Sequence, residues 1–466
     1  MHIKNLGPIS DVSINLSDLT LFIGDNGTGK TLASYALYSF RNWLEQGVKT
    51  DLIKKQDIDS LILNNQPIIE PTDQYKKKLT DSLISSFNAL NNDGNYFSDF
   101  FKDDNIYIKG TTKIEIDESD INSSFVSIPF DDNDASNTHW TYNVRTEDSN
   151  NVYGQIISRF VSNGEKIKIS YRNIGSSIVN PKEQNNDSTL WSKNYSNEIN
   201  LLVFATLFDI SAKNVYLPAE RIGINMFRKR LNNQFINNNL VEPKSNLDST
   251  QPSQENERYP YPIESYIKFL NESLNSISKP HTSDINGDSE GLLSHLIPGQ
   301  FKYNSNSDQL TYDLSSSNTK TVDDINFGLL SSSLKSLFGI DLFIKGRKEN
   351  DWLFIDEPEM NLHPKRQTEI MKLLYLLMIN GSKLVISTHS DYMVKELINK
   401  LLETKLSNDT SKRVTVYQFE NGSATKLNDI SSEDTLNNFD DSTNKINAEY
   451  YDLIDRITSQ EDAKDE

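Results

Sequence analysis

The chain opens with an apolar run, Leu19–Ile23, in which only Thr20 is polar. Such a run predicts a buried strand. Just before it, Val12–Leu16 alternates apolar and polar positions and predicts a shorter one. Just after it, Thr31–Leu44 carries Leu32, Tyr35, Ala36, Phe40 and Trp43 at helical spacing, so a helix is expected directly behind the glycine-rich stretch Gly24–Gly29. Further on, Gln74–Leu90 has a helical pattern, Ile106–Ile116 and Ile167–Tyr171 alternate as strands do, and Ile199–Asp209 returns to helix. Asn214–Leu217 is a strand stopped by Pro218. Residues 223–300 are expected to be mainly helical, interrupted by a polar, proline-containing stretch over 237–261 expected to be a mobile loop. Phe301–Leu314 reads as a hairpin turning at Asn304–Asp308. From there the pattern alternates: helix at Leu334–Phe338, strand at Trp352–Ile355, helix at Pro364–Leu377, strand at Lys383–Ser387, helix at Tyr392–Leu402. Val414–Phe419 and Ala424–Leu427 close as a small hairpin. The rhythm implies an α/β chain with a mostly parallel sheet covered by helices.

Five spans follow: the N-terminal part of a head (1–50), a β-rich subdomain with helical decoration (51–222), a mainly helical insertion (223–325), the C-terminal part of the head (326–428) and an acidic tail (429–466). Composition narrows the class. The 466 residues carry a net charge of −19 yet are 10% aromatic, unlike acidic disordered chains, which are poor in aromatics. With no cysteine, thiol nucleophiles and cysteine metal sites are excluded. The longest apolar stretches are too short to cross a membrane and the start has no signal-peptide pattern, so a cytoplasmic protein is expected. The acidic balance disfavours a broad nucleic-acid surface, because phosphate contacts need Lys and Arg. Local basic clusters at Lys76–Lys78, Arg228–Arg230 and Lys345–Lys348 leave nucleic acid open, although such runs are usually solvated faces.

Gly24-Asp25-Asn26-Gly27-Thr28-Gly29-Lys30-Thr31 matches a phosphate-binding loop, placed after a strand and opening a helix. Glycines let backbone N–H groups turn inward around a phosphate, and the helix N-terminus adds positive potential. Lys30 would reach the β- and γ-phosphates of ATP, and the Thr31 hydroxyl would ligate Mg²⁺. The bland alternative is a glycine-rich turn alone. Trp352–Glu357 is an apolar strand ending in two carboxylates. Asp356 fits the Mg²⁺ role and Glu357 the orientation of an attacking water, against the alternative of a helix-capping acidic pair. His389 follows another buried strand, at the edge where ligands of parallel sheets bind. It is a candidate contact to the γ-phosphate. Lys30 lies near the start of the chain and Asp356 three quarters of the way along it, a separation unlike that of small kinases or ring-forming motors. About 20 residues before Asp356 stands Leu330-Ser331-Ser332-Ser333-Leu334-Lys335, where an ABC-type signature belongs. Ser331, Ser332 and Ser333 are candidates to bind the nucleotide of a second subunit; otherwise they simply cap a helix.

On these residues, with Ile3-Lys4-Asn5, Gly7-Pro8, Leu217–Arg221, Ile355–Glu359, Leu362-His363-Pro364 and Ser387–Ser390, the chain resembles stand-alone ABC-type ATPases of the RecF/SMC and OLD (overcoming lysogenization defect) superfamily. The resemblance implies a P-loop NTPase with an ABC-type head, ATP and Mg²⁺ as cofactors, and a homodimer or higher oligomer. It implies that Asn361–His363 crosses the dimer interface. Two departures stand out. Ser333 occupies the place of the signature's usual glycine, and no Gln stands at the sensing loop, where Glu220 or Arg221 is the substitute. About 75 residues follow Ser390, too few for the TOPRIM nuclease domain of larger relatives. The resemblance therefore implies an ATPase whose nucleotide-dependent association regulates a separately encoded effector, such as a nuclease or toxin, in bacterial anti-phage defence. A RecF/SMC-type DNA-repair ATPase that binds DNA directly is the alternative.

Overall fold

The computed structural model describes the chain apart from residues 47–51, 123–124, 126–138, 147–148, 163, 175–188, 209–211, 241–258, 275–276, 278–286, 315–323, 408–412, 428–447, 450 and 452–466. Most of the expected loop at 237–261 and nearly all of the tail fall outside the described residues.

A nine-stranded sheet organises the molecule. Its strands are β1 (His2–Leu6), β2 (Ile9–Ser13), β3 (Leu19–Gly24), β5 (Lys113–Glu115), β9 (Asn214–Leu217), β13 (Trp352–Asp356), β14 (Lys383–Ser387), β15 (Val414–Glu420) and β16 (Ser423–Leu427). They lie in the order β5-β1-β2-β16-β15-β3-β14-β13-β9. From β15 to β9 every neighbouring pair is parallel, while β1 pairs antiparallel with β2 and β5. A four-stranded antiparallel sheet of β4 (Ile68–Pro71), β6 (His139–Thr146), β7 (Ser149–Val161) and β8 (Lys166–Asn173) stands beside it. A three-stranded one contains β10 (Gln300–Asn304), β11 (Gln309–Asp313) and β12 (Ile325–Asn326).

Alternation along the central strands divides the core between the two faces of the large sheet. Phe22, Tyr216, Phe354, Val385 and Tyr417 face the Lys30–Glu45 helix and the helices of residues 52–122. Leu21, Ile23, Leu217, Leu353, Ile355, Leu384 and Ile386 face the Ser332–Gly346 and Pro364–Ile379 helices. Strands buried on both sides read as near-continuous apolar runs, which is why β3, β13 and β14 are plain in the sequence.

Several expectations need correction. The alternation at Val12–Leu16 marks a strand that runs Ile9–Ser13, and β1 went unread because Lys4 and Asn5 interrupt its pattern. Of Ile106–Ile116 only Lys113–Glu115 is strand; Tyr107 instead buries its ring against Phe97 and Phe101. The helix beginning at Arg221 continues to Leu240, into the stretch expected to be loop. The large sheet also draws strands from the 51–222 span. β5 and β9 lie within 51–222 but pair in the nine-stranded sheet, and one core cluster takes in residues from Met1 to Phe208 together with Phe354 and Phe419.

Candidate nucleotide-binding and hydrolysis site

The registers of the parallel strands bring the site together. Asp356 pairs with Ser387, and Ser387 with Phe22, so β13, β14 and β3 end at one edge of the sheet. Ligands of open parallel sheets bind at this carboxyl edge. A cleft of about 380 Å³ opens there, lined by Pro8, residues 26–32, Glu357, Ser387 and His389.

Gly24 and Gly29 shape the loop. Both have positive φ (131° and 102°), and a Cβ would stand 2.2 Å from the Phe419 carbonyl oxygen at Gly24 and 2.6 Å from the Ile9 side chain at Gly29. Only glycine satisfies both constraints. Asp25, Asn26 and Gly27 are exposed, and the Thr28 hydroxyl closes the turn onto the Asp25 carbonyl at 2.8 Å. Lys30 is the first residue of the helix and is almost fully buried. Its Nζ donates to the carbonyls of Gly24 (2.8 Å) and Asp25 (2.7 Å). Burial pushes the ammonium down to about 8, against the pull of Glu357, Asp25, Asp356 and Glu359. Thr31 lies exposed in the cleft wall.

Asp356 is buried behind the cleft. One carboxylate oxygen accepts from Ser387 Oγ at 2.5 Å and the other from Tyr216 OH at 2.6 Å. Burial pushes its carboxyl up to about 6; those two hydrogen bonds oppose the shift, and Glu220 and Glu357 add to it. Glu357 leaves the strand with φ of 45°, in the left-handed region that a non-glycine residue adopts at a cost of about 1–2 kcal/mol. Its N–H donates to the Ser387 carbonyl at 2.9 Å, and its own carbonyl accepts from Arg221 Nη2 at 2.8 Å. The strained turn is thus pinned at both ends and delivers the carboxylate to the cleft. His389 Nε2 stands 3.7 Å from Glu357 Oε1. Burial, then Lys30, hold its imidazole below the usual value, so at neutral pH it faces Glu357 uncharged.

The fold places Asn26 to Thr31, Glu357 and His389 around one cleft, with Asp356 joined to it through Ser387, while Gly24 and Asp25 do not line it. It does not bring Ser331, Ser332 or Ser333 there. Ser331 caps the Ser332–Gly346 helix, its Oγ accepting from the Leu334 N–H at 3.3 Å, and Ser331 and Ser332 are exposed. Neither Glu220 nor Arg221 lines the cleft. Arg221 is instead fully buried among carbonyl groups. Sequence reasoning missed three supporting groups: Tyr216, Ser387 and Glu359. Glu359 Oε1 accepts from Thr388 Oγ1 (2.7 Å) and from the His389 N–H (2.8 Å), fixing the loop that carries the histidine. A second acidic residue two places after the pair was the available signal for Glu359; for Tyr216 there was none.

Three residues of the basic clusters are buried inside the fold, while Lys77, Lys229, Arg230 and Lys348 stay exposed. Arg228 and Lys229 pair with Asp308, Lys345 is buried against Asp341, and the buried Arg347 holds the Asn380 carbonyl. Among the described residues, no helix is long and apolar enough to cross a membrane.

The sequence profile of the AAA ATPase domain family matches residues 1–394. The chain belongs to this family. It is an ATPase, and ATP is its nucleotide. A stretch of 76 residues of this AAA ATPase is 37% identical to the Old nuclease of Escherichia phage P2, covering 16% of the chain and 13% of the nuclease. The likeness therefore spans a small part of that relative's length. Solved structures similar to this AAA ATPase include an Smc head bound to the C-winged helix domain of ScpA (11% identity, TM-score 0.32, 91% of this chain and 96% of that one covered). The Smc head domain with an extended coiled coil bound to the C-terminal domain of ScpA, derived from Pyrococcus furiosus, is 12% identical (TM-score 0.31, 91% and 94% covered). The head domain of the Thermotoga maritima SMC protein is also 12% identical (TM-score 0.28, 91% and 96% covered).

Proposed function

We propose that this ATPase binds MgATP in the cleft at the carboxyl edge of β3, β13 and β14, and that ATP joins two copies of the chain. The observation that carries the reading is the convergence of Lys30, Thr31, Glu357 and His389 on one cleft, with Asp356 reaching it through Ser387. Gly24–Thr31 would hold the phosphates through backbone N–H groups and Lys30. The Thr31 hydroxyl and the Asp356 carboxylate fit a hard cation, because the donor set is all oxygen and the side-chain hydrogen bonds to Asp356 come from the neutral Tyr216 and Ser387 hydroxyls. Mg²⁺ held there would neutralise charge on the transferred phosphate. Glu357 would accept a proton from, and orient, the attacking water. His389, neutral beside it, would donate to the γ-phosphate. Ser331–Ser333 would meet the nucleotide of the second copy, since Ser331 and Ser332 are exposed at a helix N-terminus and none of the three lines its own cleft.

The two titrations set an expected pH profile. Lys30 must be charged to hold phosphate, and its ammonium titrates at about 8 in the free chain. Asp356 must be ionised to support a cation, and its carboxyl titrates at about 6. kcat/KM for ATP, which reports the free enzyme, is therefore expected to fall below about pH 6 and above about pH 8. A profile flat from pH 5 to 9 would remove these two groups from the reaction.

The wider role proposed is control of a separately encoded effector in bacterial anti-phage defence. The stretch shared with the Old nuclease supports it, and so does the internal use of Arg228, Lys345 and Arg347, which leaves less positive surface for nucleic acid. Purified chain given ATP and Mg²⁺ is expected to turn over ATP and leave plasmid, linear DNA and total RNA intact. Cleavage that survives further purification and disappears on a substitution outside the ATP cleft would reject the two-component reading. Cells carrying the chain with its neighbouring genes should plate phage poorly, and Lys30→Ala should restore plaques.

A further inference from the structure

Arg221 is the largest fully buried side chain of the protein's described residues, and it carries a charge. Its guanidinium donates to four carbonyls: Nε to Ser336 (3.1 Å), Nη1 to Pro218 (3.2 Å) and Asp356 (2.8 Å), and Nη2 to Glu357 (2.8 Å). These belong to three segments: the end of β9, the end of β13 and the first turns of the Ser332–Gly346 helix. Asn225, one helical turn on and so on the same face, repeats the grip: its Nδ2 donates to the Lys335 carbonyl at 3.1 Å and its Oδ1 accepts from Tyr266 OH at 2.8 Å. Ser336, held by Arg221, in turn donates its hydroxyl to the Ser333 carbonyl at 2.8 Å. Hydrogen bonds therefore tie the acidic pair to Arg221, Arg221 to Ser336, and Ser336 to Ser333, the half-buried neighbour of the exposed Ser331 and Ser332.

A planar fork with five donors can hold several carbonyls in fixed mutual positions; a lysine ammonium on a flexible stem cannot. Burying such a charge is costly, and simple packing would be met by an apolar side chain. A carbonyl-only partner set leaves the Asp356 and Glu357 carboxylates free of it, so Arg221 fixes where they stand without neutralising them through direct contact.

We propose that Arg221 is a positioning residue that makes the acidic end of β13 and the serine-capped helix one rigid unit, required for turnover of ATP and not for its capture. This rests on the reading of the cleft given above. The acidic pair belongs to the copy's own cleft and the serines to its partner's, so the unit sets the distance between the two halves of a shared site.

The test compares Arg221→Met, Arg221→Lys and Asn225→Leu with the parent. Binding of a fluorescent ATP analogue, kcat and KM are measured together. Arg221→Met is expected to lose about tenfold or more in kcat while analogue affinity stays within about threefold. Arg221→Lys should regain thermal stability without regaining the parent kcat. Asn225→Leu, which cuts the contacts to the Lys335 carbonyl and the Tyr266 hydroxyl but leaves Arg221 in place, should lower kcat less and leave affinity alone. Parental kcat in a folded Arg221→Lys protein, or affinity falling in step with kcat, overturns the proposal. If Arg221→Met does not fold, the other two variants decide. A parent that neither binds nor hydrolyses ATP would reject the functional reading alone. Amide hydrogen exchange without nucleotide still tests the coupling: Arg221→Lys should speed exchange at Glu357 and over the first turns of the Ser332–Gly346 helix together. Faster exchange in one segment only would overturn it.

Discussion

Lys30→Ala is expected to lower kcat/KM for ATP by about 10²–10⁴-fold while leaving the fold intact. The lysine would make charge-assisted hydrogen bonds to two phosphates, each worth about 1.5–3 kcal/mol, and about 1.4 kcal/mol corresponds to a tenfold change. Against the fold it contributes little. Its Nζ is satisfied only by the Gly24 and Asp25 carbonyls of its own loop, and burial already penalises its charge, as the fall to about 8 records. Removing it loses two local hydrogen bonds and relieves a desolvation cost, so the melting temperature should shift by only a few degrees. Binding of a fluorescent ATP analogue, turnover and a thermal melt check this together. Parental turnover in a folded variant would remove the phosphate-loop assignment.

What was legible in the sequence is what contiguous residues dictate. A phosphate loop needs its glycines, lysine and threonine side by side, so Gly24–Thr31 announces itself before any tertiary contact is known. The strands beneath the site are buried on both faces, and a two-sided apolar run such as Trp352–Ile355 is unambiguous once carboxylates end it. The groups that went unread act through distance. Tyr216 holds Asp356 across 140 positions of chain, and nothing about a tyrosine near a strand end signals that partner. Arg221 reads as a candidate sensing residue because its neighbours resemble a motif; in the fold it donates to backbone carbonyls and does not line the cleft. β1 is a further case. Lys4 and Asn5 break its alternation, yet it forms because β2 and β5 flank it on both sides and Ile3 and Leu6 bury completely. Pairing partners far along the chain overrode local pattern. The clusters at Arg228–Arg230 and Lys345–Lys348 likewise look like solvated runs in one dimension, whereas Arg228, Lys345 and Arg347 are buried against Asp308, Asp341 and the Asn380 carbonyl.

Glu357→Gln is expected to hold ATP while slowing its hydrolysis about 10²-fold or more, because the amide cannot take the proton of the attacking water. The substitution keeps shape. The left-handed backbone at position 357 is pinned by Ser387 and Arg221 through main-chain groups, so an isosteric amide can take up the same turn. Asp356, with Tyr216 and Ser387 on its two oxygens, is untouched, and one negative charge fewer beside Lys30 and His389 leaves the cleft more welcoming to a triphosphate. Capture without hydrolysis should then trap the joined state. Light scattering with ATP and Mg²⁺ is expected to report about twice the mass seen without nucleotide, and cysteines introduced at Ser332 and near Thr31 should crosslink between copies. The crosslink follows from the proposed arrangement: Ser331 and Ser332, exposed on a helix N-terminus and outside the lining of their own cleft, would meet the nucleotide of another copy. A mass that ignores nucleotide is still compatible with copies already joined, provided the crosslink forms in both conditions. Absence of the crosslink with and without ATP would reject the head-to-head arrangement, and Glu357 would then act within a single chain.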